Sequence, residues 1–160
     1  TRAIVTLLLG DAAAAERLQR EALATIAATL GPQSVLAGYG WNNLGRAMEQ
    51  QSRAAESAQA YERALAILGA ALGADHPDTL DIGTTWARQL GELGRHEDAL
   101  RELKRVQDGL ARVLGEDDFR YGYALMSEAL VQLDAGRVEA ALPLAGRAVR
   151  FEVQVLGVLD

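Results

Sequence analysis

Two adjacent asparagines and two arginines have the chemistry best suited to recognition of another polypeptide. Asn42 and Asn43 each carry an amide that both donates and accepts hydrogen bonds, so they can hold a peptide backbone whatever its side chains. Arg46 and Arg88 lie 42 positions apart and can pair with acidic groups of a ligand. The alternative for all four residues is a solvated polar face.

The sequence has no arrangement typical of catalysis or metal binding. It contains no cysteine and only His76 and His96, so neither a thiolate nor a histidine metal site is expected. The adjacent carboxylates of Asp117 and Asp118 suit a helix start better than acid–base catalysis. There is no glycine-rich phosphate loop, serine nucleophile elbow or credible triad. We therefore expect no enzyme activity, no catalytic or metal-binding residue and no cofactor.

Length, composition and charge limit the other classes of function. The chain has 160 residues, of which 49% are hydrophobic and 24% charged, as in one globular domain. Its net charge of −6, without a basic stripe, argues against nucleic acid as a partner. The apolar stretch at 3–10 is too short to span a bilayer, so membrane insertion is not expected. We expect a cytoplasmic location, or a periplasmic one if a longer parent protein is membrane-anchored.

The organisation of the chain follows from an internal repeat. Leu-Gly steps begin at Leu30, Leu72, Leu114 and Leu156, at intervals of 42 residues. Small residues keep the same interval, which indicates that residue size as well as hydrophobicity is fixed by the structure. These small residues are Ala15, Ser57, Ala99 and Ala141 in one column, and Gly45, Ala87 and Ala129 in another.

Each repeat divides into two stretches with helical periodicity. Apolar residues at three- and four-residue spacing between Leu100 and Leu114 predict a helix from about 95 to 114. Gly94, like Gly10 and Gly136, suits the left-handed position that closes a helix, whereas Ser52 in the same column predicts a less comfortable turn.

The connector at 73–78 carries signals for the start of the next helix. Pro77 suits a first helical turn, because its missing N–H has no partner there. Asp75 and Asp78 can cap this helix or offset its dipole.

The period of 42 falls in the range of HEAT and armadillo repeats, but the pattern of small residues favours tetratricopeptide repeats (TPR). The segments "WNNLGRAMEQQSR" (41–53) and "YERALAILGAALGADHPDTL" (61–80) resemble the long TPR units of kinesin light chains. Similar arrays occur in bacterial multidomain signalling proteins, and the composition would suit such a source. The resemblance implies an all-α fold, a right-handed α-solenoid of antiparallel helix pairs. The expected single array comprises a partial repeat at 1–31 and repeats at 32–73, 74–115 and 116–157.

The resemblance also implies that the first helix of each pair, helix A, lines a concave groove that binds a peptide. The residues implied are Tyr39, Asn42, Asn43, Arg46, Glu49 and Gln50 in the first full repeat, Asp81, Thr84, Thr85, Arg88 and Glu92 in the second, and Tyr123, Met126, Ser127, Leu130 and Asp134 in the third.

Several residues are predicted to be buried in the core. Tyr61, Trp86 and Leu103 are placed there, and Trp86 shares a column with Leu44. Glu128 occupies that column in the last repeat, which predicts that its helix A is rotated or faces a further neighbour. Gln132 likewise stands where earlier repeats have an apolar residue.

We therefore expect a non-catalytic scaffold that binds an extended peptide or a partner helix in the groove. One alternative is a peptide-sensing module that controls an attached catalytic domain. Another is oligomerisation through apolar surface at the ends, at residues 3–9 and around Val149, Val153 and Leu156.

Overall fold

The structure is a computed structural model that describes the backbone of residues 11–156 and the side chains of residue 11 and residues 13–149. Within this range the chain forms seven α-helices and no strand, which confirms the all-α prediction. In chain order the helices are α1 (Ala12–Leu30), α2 (Val35–Glu49), α3 (Ala54–Leu72), α4 (Pro77–Glu92), α5 (His96–Val113), α6 (Phe119–Asp134) and α7 (Val138–Leu156). Of the ends predicted to associate, residues 3–9 and the side chains of Val153 and Leu156 lie outside the described part.

Most helix starts are closed by a side chain that accepts a backbone hydrogen bond. Asp118 Oδ1 accepts from the amide of Arg120 at 2.9 Å, and Asp11 and Ser34 cap α1 and α2 in the same way.

The start of α4 differs from the sequence prediction. Pro77 lies in the first turn as predicted, but the capping side chain is His76, whose Nδ1 accepts from the amide of Asp78 at 3.2 Å. Asp75 is not the cap, because its carboxylate accepts a hydrogen bond from Arg112 at 2.8 Å. Asp78 lies in the first turn, where its charge offsets the helix dipole.

The turns between helices confirm the glycine column. Gly94 and Gly136 both have φ of +74°, the left-handed conformation predicted for them. Ser52 adopts the same region with φ of +57°, and it is the non-glycine residue with positive φ in the described chain. The strain predicted for this turn is therefore present. Gly10 lies outside the described residues.

The chain divides between Ala74 and Asp75 into two compact units, which we call unit 1 and unit 2. In unit 1, α2 packs against both α1 and α3. Its core includes Leu23 of α1, Leu44 and Met48 of α2, and Tyr61 of α3, which is completely buried as predicted. The buried Ser57 hydroxyl donates to the carbonyl of Gly45 at 3.0 Å, so a small residue on each helix lets α2 and α3 approach closely.

In unit 2, α4 pairs with α5, α6 pairs with α7, and α6 also packs on α4 and α5. Leu103 is completely buried and packs with Ala87, Leu90 and Val131. Trp86 lies at the edge of this cluster and is only half-buried, so its assignment to the core is correct only in part.

Of the two alternatives predicted for α6, rotation of the helix is wrong, and contact with a further neighbour stays a prediction. Ala124 and Ala129 are buried, like Ile82 and Ala87 one repeat earlier, so the register of the helix is retained. Glu128 is accommodated because its Oε2 accepts a hydrogen bond from Gln107 Nε2 of α5 at 2.7 Å. A carboxylate can thus occupy this column without turning the helix.

Candidate functional site

The A face of unit 1 is the side of α2 that carries Tyr39, Asn42, Asn43, Arg46 and Glu49. Arg46 is exposed, and the other four side chains are half-buried. The residues of α2 that pack in the core lie on its other sides, where Leu44 and Ala47 are almost completely buried. The two asparagines therefore reach the surface from a helix that is fixed by its core.

Glu49 also has a structural contact that the sequence did not indicate. The buried hydroxyl of Tyr61 donates to Glu49 Oε2 at 2.8 Å. The pKa of Tyr61 is raised, first because the phenol is buried and second because the Glu49 carboxylate disfavours a phenolate. Any ligand that contacts Glu49 meets a carboxylate that is already oriented by Tyr61.

A cation–π contact at α2 and α3 was also missed by the sequence analysis. The guanidinium carbon of Arg63 lies 4.7 Å from the centre of the Trp41 ring. No spacing rule connects these two residues, because the contact depends on the packing of α3 against α2.

The A face of unit 2 combines α4 and α6, which lie side by side. Arg88 Nη1 of α4 donates to the hydroxyl of Tyr123 of α6 at 2.7 Å. Tyr123 and Leu130 are 43% and 46% exposed, whereas Thr85, Arg88 and Met126 are half-buried. This surface thus presents an arginine and a tyrosine joined by a hydrogen bond, beside the exposed side chain of Leu130.

Two predicted groove residues are not at the surface. Thr84 and Ser127 are each 1% exposed. Their hydroxyls donate to carbonyls of the preceding turn, those of Leu80 and Tyr123 respectively. They cannot contact a ligand, so they do not belong to the A face of unit 2. Spacing alone did not reveal this, because α6 packs laterally on α4.

Charged residues surround the N-terminal part of the A face of unit 2. Asp81 is exposed, and its pKa is raised mainly by partial desolvation, with a further contribution from the charges of Asp78 and Asp118. Arg120 opposes this shift, and its Nε lies 3.2 Å from Asp118 Oδ1. Arg120 was not singled out from the sequence, although the acidic helix start next to it gives a signal. Three further predicted groove residues are exposed at the C-terminal ends of α2, α4 and α6: Gln50, Glu92 and Asp134.

The described side chains offer no group of three or more His, Asp or Glu residues that could hold a metal ion. In the same part of the chain, none of the helices combines the length and apolar character that crossing a membrane requires.

Comparison with known proteins relates the repeat to an established family. Residues 1–70 match the family model described as Tetratricopeptide repeat. Protein KINESIN LIGHT CHAIN-RELATED 2 of Arabidopsis thaliana is 28% identical over 132 residues, which cover 79% of this chain and 20% of the relative. Protein KINESIN LIGHT CHAIN-RELATED 3 of the same plant is 30% identical over 116 residues, which cover 69% and 18%. The chain spans about a fifth of the length of these curated relatives.

Solved structures show the same fold. A kinesin light chain with nearly identical TPR-like repeats from Podosopora anserina superposes with a TM-score of 0.81 at 20% identity, covering 96% of this chain and 73% of that one. BtubC (BKLC) from P. vanneervenii gives a TM-score of 0.66 at 20% identity, covering 97% and 78%. At this identity the likeness establishes the fold alone.

Proposed function

Because the chain is a tetratricopeptide-repeat protein with 42-residue repeats of the kinesin light chain type, we propose that it is a non-catalytic scaffold for protein–protein interaction. Its ligand is an extended peptide or a partner helix that binds on the A faces. The fold alone does not specify this role, since one fold serves many functions. A cytoplasmic location stays a prediction.

The observation that carries the proposal is the composition of the A face of unit 2. Arg88, held by the hydroxyl of Tyr123, lies on the same surface as the exposed Leu130 and the half-buried Met126. Arginine, tyrosine and methionine are enriched where proteins bind one another, and tyrosine and arginine dominate binding hot spots. The hydrogen bond to Tyr123 restrains the guanidinium before binding, which lowers the entropy lost when a ligand binds.

The A face of unit 1 supports the same proposal through different chemistry. Asn42 and Asn43 are half-buried, so part of each residue remains at the surface of α2. An amide both donates and accepts, and it can therefore bind the backbone of an extended peptide. The exposed guanidinium of Arg46 on the same helix can pair with an acidic side chain.

The experiment that tests this proposal is a selection from a random peptide library against the native chain. The double variant Asn43→Glu, Arg88→Glu serves for counter-selection, because it reverses the preferred chemistry on both A faces. Its folding is checked by thermal melting. We expect a short motif that is enriched by the native chain alone. A motif enriched equally by both forms, or no motif at all, would remove the basis of the proposal.

A further inference from the structure

The start of α4 is capped by an imidazole, whereas the equivalent helix starts of the other repeats are capped by oxygen. His76 Nδ1 accepts a hydrogen bond from the amide of Asp78 at 3.2 Å. At the same position of the repeat, α2 has Ser34 and α6 has Asp118, whose side-chain oxygens accept the corresponding bonds. A hydroxyl does not titrate, and a carboxyl group keeps an acceptor oxygen in either charge state. A protonated imidazole has no acceptor, because both of its nitrogens then carry hydrogen.

Neighbouring groups of the first turn of α4 do not duplicate this cap. Pro77 has no amide hydrogen to be capped. Thr79 Oγ1 is buried and has no hydrogen-bond partner in the part of the chain that the structure describes. The carboxylate of Asp75 accepts a hydrogen bond from Arg112 of α5 at 2.8 Å instead. The side-chain cap of this turn therefore rests on the imidazole of His76.

The charges around this turn give a protonated imidazole a different preference. They come from three elements: Asp75, Asp78 and Asp81 of the turn and α4, Arg105 and Arg112 of α5, and Asp118 and Arg120 of α6. The stretch 64–74, which precedes the turn, has no charged side chain. A positive charge is disfavoured beside the amides that open a helix, whereas a neighbouring carboxylate favours it. An imidazolium is thus favoured beside the aspartates rather than at the cap.

We propose that His76 is a pH-dependent cap of α4. As a neutral imidazole it closes the first turn, and as an imidazolium it releases the amide of Asp78 and pairs with the carboxylates beside it. Histidine is the side chain whose ordinary charge change falls between about pH 5 and 8, and His76 is only half-buried, so solvent can protonate it. The cap is present at the upper end of this range and is lost as the pH falls.

The effect of the switch is confined to the start of unit 2. Unit 2 begins at Asp75, directly before the cap. The amide of Leu80 donates to the carbonyl of His76 at 3.0 Å, and the side chain of Leu80 is completely buried in the core of unit 2. This core contact does not depend on the charge of the imidazole. Protonation therefore loosens the first turn of α4 and leaves the rest of the helix in place.

Urea unfolding at about pH 8 and about pH 5 tests the proposal in the native chain, His76→Ala and His76→Asn. Alanine cannot cap a helix at either pH, whereas asparagine caps at both. We expect the unfolding equilibrium constant of His76→Ala to exceed that of the native chain by about fivefold at the higher pH and to equal it at the lower. Relative to His76→Asn, the native chain should lose about fivefold between the two pH values.

The matched control is His96→Asn, which removes the other histidine of the chain. His96 lies in the first turn of α5, where Arg95 occupies the cap position. This variant should keep the pH dependence of the native chain. All the proteins retain Asp81, so the titration of this carboxyl group, whose pKa is raised mainly by partial desolvation, cancels in the comparison.

Nitrogen-15 NMR of the imidazole gives a second readout that does not depend on stability. The neutral ring of His76 should carry its proton on Nε2, because Nδ1 accepts from the amide of Asp78. A neutral ring protonated on Nδ1 would overturn the proposal. So would the same ratio of unfolding constants between the native chain and His76→Ala at both pH values, or loss of the pH dependence in His96→Asn. No ligand is involved, so these outcomes are independent of the proposed function.

Discussion

Gly45 of α2 lies directly against the ring of Tyr61 of α3, so that a Cβ on Gly45 would lie 2.9 Å from Tyr61 Cε1. One repeat later, Ala87 and Leu103 occupy the same two positions and pack in one cluster. In these two repeats, a larger residue on the second helix of the pair is thus matched by a smaller one on helix A. This compensation explains why the column that contains Gly45 tolerates either glycine or alanine.

The Gly45→Ala substitution should destabilise the native chain by about 1–3 kcal/mol, because the new methyl group overpacks against a buried ring. In a Tyr61→Leu background the same substitution should be stabilising by about 0.8 kcal/mol, since alanine favours helix and the clash is gone. Urea unfolding of the four proteins in a double-mutant cycle measures both effects. If the effects of the two substitutions on the free energy of unfolding are additive, the ring of Tyr61 does not restrict the size of the residue at position 45.

Replacement of Ser52 by glycine should raise the free energy of unfolding by about 0.5–1 kcal/mol, because a side chain at φ of +57° is strained. The matched control is Gly94→Ser, which creates the same strain in the equivalent turn and should lower stability by a similar amount. Thermal melting distinguishes the two directions. A loss of stability in Ser52→Gly would mean that the serine side chain contributes more than its strain costs.

Replacing the buried amide of Gln89 by an apolar group should increase the stability of the chain. Its side chain is completely buried, and neither amide atom has a hydrogen-bond partner among the described residues. Gln89→Met keeps the length of the side chain and should raise the free energy of unfolding by about 1 kcal/mol. Gln107→Met is the control, because it removes the hydrogen bond to Glu128 and should lower stability. If chemical denaturation shows the same change in unfolding free energy for both variants, the missing hydrogen bonds of Gln89 do not cost stability.

The stability of unit 1 should depend on pH through Glu16. Burial works against the charged form of this carboxylate, but hydrogen bonds from Gln51, Arg20 and Arg53 outweigh it and hold the pKa below the usual 4.5. The charged form therefore stabilises the folded chain by roughly 0.5–1 kcal/mol above pH 4.5. This contribution is lost as the pH falls through the lower folded-state pKa.

The measurement is the difference in unfolding free energy between the native chain and Glu16→Gln, followed from neutral pH into the acid range. The difference should be constant above pH 4.5 and shrink below it. A difference that does not change with pH would exclude an electrostatic role for Glu16.

Much of the helical layout was predictable from sequence, because the 42-residue spacing and the helical periodicity are local signals. Pro77 and Gly94 marked a helix start and a turn correctly. The division into repeats within one array stays a prediction.

Contacts between helices were harder to predict from the sequence. The burial of Thr84 and Ser127 depends on how α6 lies in space, and spacing along one helix carries no information about its neighbour. The cap formed by His76 was missed because aspartates on both sides are better known capping residues.

The central claim is that the A faces bind a peptide, and the most direct measurement is the dissociation constant for the most enriched peptide of the library selection. It should be compared between the native chain, Arg88→Glu and Arg101→Glu. Arg101→Glu makes the same charge change on the exposed side of α5, away from the A face. We predict at least about tenfold weaker binding for Arg88→Glu and native affinity for Arg101→Glu. Equal affinities for all three proteins would contradict the account.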